Sequence, residues 1–312
     1  MKGQETPAGP AGRATTYTTR TADDIYGPGR EGSDEYSRLR PDEKRASQIL
    51  ATRLRQSLTA PTHTISGGRR DGDEIDLSNI HEVAYSPAPR IFAQRTEIEG
   101  KSVAIYLLLD ASSSMGSVGW TGEGADVASR LARAMSDAMR RVGIPLEISS
   151  FRTVETNQYP RSVPGVYRTV PVQEDVFQSF DERPGSPSVL RRIGNFTTGG
   201  FTPTADGMRT ALDRLATRRE SRRILILVTD GWPELPANGP ESVHISYLRK
   251  LVSDAESCGV EFLPISIGGN VNTANIWPGH AGLNVNQISR LQVELMPPLL
   301  KMIRRGIGGR SR

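Results

Sequence analysis

Seven apolar residues in a row, Val103-Ala104-Ile105-Tyr106-Leu107-Leu108-Leu109, run straight into Asp110-Ala111-Ser112-Ser113-Ser114-Met115-Gly116. A run of strand length without polar alternation belongs to a strand covered on both faces, as in parallel sheets with helices above and below. The polar residues that follow then lie at the carboxyl end of a central strand. Open α/β sheets gather ligands there, because loops from neighbouring strands converge and helix N-termini turn free N–H groups toward the crevice. Asp110, Ser112 and Ser114 alternate, so an extended loop would aim their three oxygens the same way. One carboxylate and two hydroxyls make a hard, oxygen-only donor set.

Two later stretches carry the same kind of chemistry. Gly199-Gly200-Phe201-Thr202-Pro203-Thr204 offers a hydroxyl in a glycine-rich turn before a helix. Ile224-Leu225-Ile226-Leu227-Val228-Thr229-Asp230-Gly231 is a second buried strand that ends in an acid. In this order, Asp-x-Ser-x-Ser, then Thr, then Asp, the residues resemble the metal-ion-dependent adhesion site of von Willebrand factor A (vWA) domains. The resemblance covers roughly residues 100–305. It implies a three-layer α/β fold with a mostly parallel, doubly wound, Rossmann-like sheet. It also implies a Mg²⁺ or Mn²⁺ ion touched directly by Ser112, Ser114 and Thr202, with Asp110 and Asp230 orienting those ligands and balancing charge. An ion held chiefly by neutral hydroxyls stays under-neutralised and attracts a Glu or Asp of a partner protein. Such a site docks a partner and catalyses nothing.

Each residue also has a plain structural role open to it. Thr202 before Pro203 suits a helix N-cap, Ser112 and Ser114 could satisfy loop N–H groups, and Asp230-Gly231 could form a turn.

Secondary structure follows from periodicity. Residues 1–40 contain few large aliphatics and read as a disordered tail. Residues 41–99 form a helical and extended linker region. In it, Pro41 to Leu58 is a helix with acids in its first turn and Ile49, Leu50, Leu54 and Leu58 on one stripe. Asp76 to Tyr85 reads as a short helix with Ser78 near its cap, and Arg90 to Glu99 as extended. The vWA-like region spans 100–305, and residues 306–312 form a basic tail. Within that region, Val127, Leu131, Met135, Ala138 and Val142 mark a helix stopped by Gly143 and Pro145. Strands follow at Leu146–Phe151, near Val163–Val172, at 223–229 and at Val260–Ile267. Helices open at Thr202-Pro203 and Gly239-Pro240, the latter closed by Gly259, and a last helix runs from Ile288 to Ile303 with a bend at Pro297-Pro298.

Composition narrows the alternatives. The net charge of +4 comes from basic residues interleaved with acids, a solvated surface more than a nucleic-acid site. No apolar run approaches the roughly 20 residues needed to span a bilayer, and residues 1–7 lack the apolar core of a signal peptide, so the expected location is cytoplasmic. The single cysteine, Cys258, excludes an intrachain disulfide and reads as a packing residue. His63, His81, His244 and His280 lack ligand spacing. Asp71, Asp73 and Asp76 fail the calcium-loop pattern, and Gly100-Lys101-Ser102 precedes its strand, unlike a phosphate-binding loop. A haloacid dehalogenase-like phosphatase would use Asp110 as nucleophile, but needs an acid two residues on, where Ser112 stands.

Within the vWA proteins, Asp71-Gly72-Asp73-Glu74-Ile75-Asp76-Leu77, Pro89-Arg90-Ile91-Phe92 and the stretch Leu107 to Met115 look like the C-terminal part of the cobaltochelatase CobT subunit, and are similar also to NorD-like proteins. That implies a non-ATPase subunit working with an AAA+ ATPase of the chelatase or MoxR type, in metal insertion or client remodelling. A stand-alone vWA interaction module is the alternative.

Overall fold

The structure, a computed structural model, describes residues 4–5, 16–17, 24–59, 62–72, 74–98, 102–116, 123–154, 170–234, 240–267, 273–278, 283–284 and 295–305. In chain order the elements begin with β1 (Gln4–Glu5) and β2 (Thr16–Tyr17), a short antiparallel pair, then β3 (Ile25–Pro28) and α1 (Pro41–Thr59). Next come β4 (Thr62–Arg69), β5 (Glu74–Ile75) and β6 (Phe92–Ile98), which form a small antiparallel sheet in the order β4-β6-β5. The main body follows: β7 (Val103–Asp110), α2 (Glu123–Val142), β8 (Leu146–Thr153), β9 (Val172–Gln178), α3 (Pro187–Gly194), α4 (Thr204–Ala216), β10 (Arg222–Thr229) and α5 (Glu241–Ser257). The chain continues through β11 (Val260–Ser266), α6 (Thr273–Ile276), β12 (Leu283–Asn284) and α7 (Met296–Arg305).

The seven-stranded central sheet has the order β12-β11-β10-β7-β8-β9-β3. All neighbours run parallel except β8 and β9, which are antiparallel. This is the α/β, mostly parallel, three-layer arrangement expected of the sequence. β7 sits at its centre, and every one of its residues is buried. Val103, Ile105, Leu107 and Leu109 face one core with α1, α2, α3 and α7, whereas Tyr106 and Leu108 face the other with α4, α5 and α6. Two covered faces explain the unbroken apolar run, because neither side of the strand ever meets water.

Residues 24–40 fall in the stretch expected as a tail, yet they extend the fold. β3 pairs with β9, Gly29 N donates to Val176 O at 2.8 Å, and a 3₁₀ turn at Asp34–Ser37 packs on α3. α1 lies against α2 and α7, and its Ala46, Leu50, Ala51 and Leu54 are core residues. Ile49 is half-buried, and the side chain of Leu58 lies outside the described residues. The join is held by a buried ion pair, Arg133 to Glu43 at 3.1 Å, with the Arg133 guanidinium 5.4 Å from the centre of the Tyr36 ring. Burial raises the Glu43 carboxyl above its usual range, while the Arg40 N–H and the charges of Arg133 and Arg40 pull it back.

Several boundaries differ from the sequence expectation. Residues 77–84 form a 3₁₀ helix capped by Asp76, whose carboxylate accepts from the Ser78 N–H, so Ser78 is the donor and not the cap. The strand expected near Val163–Val172 begins at Val172, and residues 155–169 lie outside the described residues. Pro297 and Pro298 sit in the first turn of α7, where the first N–H groups of a helix need no partner. The stretch 288–294, expected to begin this helix, lies outside the described residues, as do Gly100, Lys101, His280 and residues 306–312. Cys258, read as a packing residue, is exposed at the end of α5. Among the described residues no helix is long and apolar enough to cross a membrane.

Candidate metal centre

The carboxyl ends of β7 and β10 are neighbours in the sheet, with Val228 opposite Leu109, so Asp110 and Thr229 come next on adjacent strands. The loop after Asp110 does not stay extended. It curls into a 3₁₀ turn at Ser113–Gly116, with Met115 N donating to Ser112 O at 3.2 Å. The two hydroxyls meet all the same: Ser112 Oγ and Ser114 Oγ are 3.0 Å apart. Ser114 Oγ donates to Asp230 Oδ1 at 2.9 Å, so its single proton is committed and Ser112 must donate to it. Ser112 N donates to Asp110 Oδ1 at 2.8 Å and Thr229 Oγ1 to Asp110 Oδ2 at 2.7 Å. Asp110, Ser112, Ser114 and Asp230 thus form one connected chain of hydrogen bonds.

Thr202 belongs to the third loop, which is tied to both of the others. Ser113 N and Ser113 Oγ both donate to Gly200 O, at 3.0 and 2.9 Å, and Thr202 N donates to Glu234 O, beyond Asp230, at 2.8 Å. The loop also rests on the end of β8, where Phe201 N donates to Thr153 Oγ1 at 2.8 Å. Gly200 has φ +67° and lies so close that a Cβ there would be 2.5 Å from Thr153 O. The N-cap role open to Thr202 is not taken: α4 begins at Thr204 with Pro203 in the cap position and no side-chain hydrogen bond there. The Thr202 side chain is 5% exposed.

The electrostatics follow from two acids drawn out of water beside each other. Burial, and next the charge of Asp230, push the Asp110 carboxyl up to about 6, against the opposing hydrogen bonds from Ser112 and Thr229. Asp230 is raised by burial, with the Ser114 hydroxyl pulling the other way. A cation beside the paired Ser112 and Ser114 hydroxyls would relieve both penalties. Among the described residues no group of three or more His, Cys, Asp and Glu could hold a metal ion.

Asp110 is fully buried and both of its oxygens accept hydrogen bonds, an arrangement suited to fixing the loop. Sequence reasoning missed Thr229, the hydroxyl that fixes Asp110. Its signal was present: a polar residue ending the apolar run of the strand beside β7.

The family model for the cobalamin biosynthesis protein CobT vWA domain matches residues 91–276, from the start of β6 to the end of α6. The chain belongs to this family.

Solved structures similar to this CobT-type vWA protein include the PilB minor pilin from Streptococcus sanguinis, at 15% identity over 73% of this chain and 68% of that one, TM-score 0.46. The von Willebrand factor domain of the type V pili tip protein Mfa5 from Porphyromonas gingivalis matches at 12% identity over 68% and 98%, TM-score 0.44. A von Willebrand factor type A protein from Catenulispora acidiphila matches at 13% identity over 80% and 50%, TM-score 0.42. In the CobT-type chain all three loops of the candidate centre fall inside the matched residues.

Proposed function

We propose that the CobT-type vWA domain is a metal-dependent docking module. Mg²⁺ or Mn²⁺ binds through Ser112, Ser114 and Thr202, with Asp110 and Asp230 holding the hydroxyls in place and neutralising charge. The observation behind this reading is the connection of the three loops: Ser114 to Asp230, Ser113 to Gly200 and Thr202 to Glu234. When bound, the metal supplies a Lewis-acidic position that a partner's Glu or Asp can occupy. The protein's own groups hold that position in place.

The partner in this reading is an AAA+ ATPase of the chelatase or MoxR type, in the cytoplasm, and the task is cobaltochelatase-like metal insertion or client remodelling. Family membership supports it. The test is capture from the native source with wild-type and Ser114→Ala protein as bait, with Mg²⁺ and with EDTA, followed by mass spectrometry. An ATPase of that type retained only by wild type in Mg²⁺ is the expected result. Its absence under every condition, or equal retention by both baits with EDTA, would contradict the reading.

A further inference from the structure

Immediately beyond Asp230 the chain presents a tryptophan. Trp232 is 39% exposed, whereas Trp277 is buried. Its loop is not loose. Gly231 N donates to Thr229 Oγ1 at 3.3 Å on one side, and on the other Glu234 O accepts from Thr202 N at 2.8 Å. Pro233 is buried, and its carbonyl, the only hydrogen-bonding group proline has, accepts from the side chain of the buried His244. The three residues flanking Trp232 are therefore each fixed to a different element: β10, α5 and the Thr202 loop. The backbone that carries the indole is thus tied down on both sides.

A clamped, partly exposed tryptophan contributes most to protein binding, because it offers a large contact area with little ordering entropy left to lose. Only Gly231 separates it from Asp230, so a bound segment lying across the centre reaches it within one or two residues of its own carboxylate. Glu234, also exposed, follows. A second acid on the bound segment at that point would meet like charge.

We propose that Trp232 sets the specificity of the docking site, selecting an extended segment in which a Glu or Asp is flanked by an apolar or aromatic side chain, and rejecting acidic runs. This rests on the docking reading above.

The test uses the full chain and three fluorescent twelve-residue peptides in Mg²⁺, each with a central Glu flanked by Leu and Phe, by Ser, or by Glu. Wild type is expected to bind the apolar-flanked peptide at least tenfold tighter than the other two. Trp232→Ser is expected to lose that preference, and Trp232→Phe to keep most of it, with calorimetric Mg²⁺ binding and the thermal midpoint unchanged in both. Equal binding of all three peptides by wild type, or an undiminished preference in Trp232→Ser, overturns the proposal while leaving metal binding intact. Failure of wild type to bind Mg²⁺ overturns the docking reading itself and the proposal with it.

Discussion

Ser114 Oγ donates to Asp230 Oδ1 at 2.9 Å across 116 residues of chain. The bond joins the turn after the central strand to the end of its neighbour, and it is available only because β7 and β10 pair in a register that brings Asp110 and Thr229 to the same level. Everything attributed to the centre depends on that register, because a shift of one residue would turn the side chains at the strand ends to the opposite face.

The glycine loop offers a first check. Gly200 has φ +67° and no room for a Cβ against the Thr153 carbonyl, so Gly200→Ala must strain the backbone or displace the loop. A loss of about 1–3 kcal/mol in urea unfolding is expected, together with weakened metal binding, because Thr202 rides on the same loop. Unchanged stability and unchanged metal binding would mean that the loop does not position Thr202.

Helix α1 is expected to be part of the folded unit and not an appendage. Leu54 is fully buried among core residues, so Leu54→Ala should cost about 2–5 kcal/mol. A single cooperative unfolding transition with a lowered midpoint is the expected outcome. A variant that unfolds like wild type would place α1 outside the core.

His244 gives a pH signature. Burial holds its imidazole down at about 3, below the ordinary 6.5, although its bond to the Pro233 carbonyl pulls the other way. The unfolded chain therefore binds a proton that the folded chain refuses. The histidine's full contribution is present above about pH 6.5, and stability falls by about 1.4 kcal/mol per unit as pH drops through the window toward 3. Unfolding free energies of wild type and His244→Gln, measured between pH 7 and 5, should converge as pH falls. Parallel curves would contradict it.

The parts that were legible in the sequence share one physical cause. β7 and β10 are covered on both faces, so their apolar runs are continuous, and the acids that end them mark the sheet's carboxyl edge. Gly259, with φ +79°, ends α5 where its type predicts. Elsewhere tertiary contacts outweighed the local pattern. Ile25-Tyr26-Gly27-Pro28 has no strand signature of its own, and becomes a strand because the edge of β9 offers it hydrogen-bonding partners. Thr202 looks locally like a cap, but Pro203 takes that position. The extended loop expected after Asp110 is closed into a turn by the Ser112 carbonyl. Alternation alone could not foresee that, although the two hydroxyls still meet.

The most direct measurement is calorimetric titration of Mg²⁺ into the wild-type chain and into Ser112→Ala/Ser114→Ala. These substitutions remove two of the proposed ligand hydroxyls and leave the buried Asp110 with its Thr229 and backbone partners. One site per chain in wild type and none in the variant, with both folded, is the expected result. Equal binding by the two proteins, or none by either, would contradict a cation held by these hydroxyls.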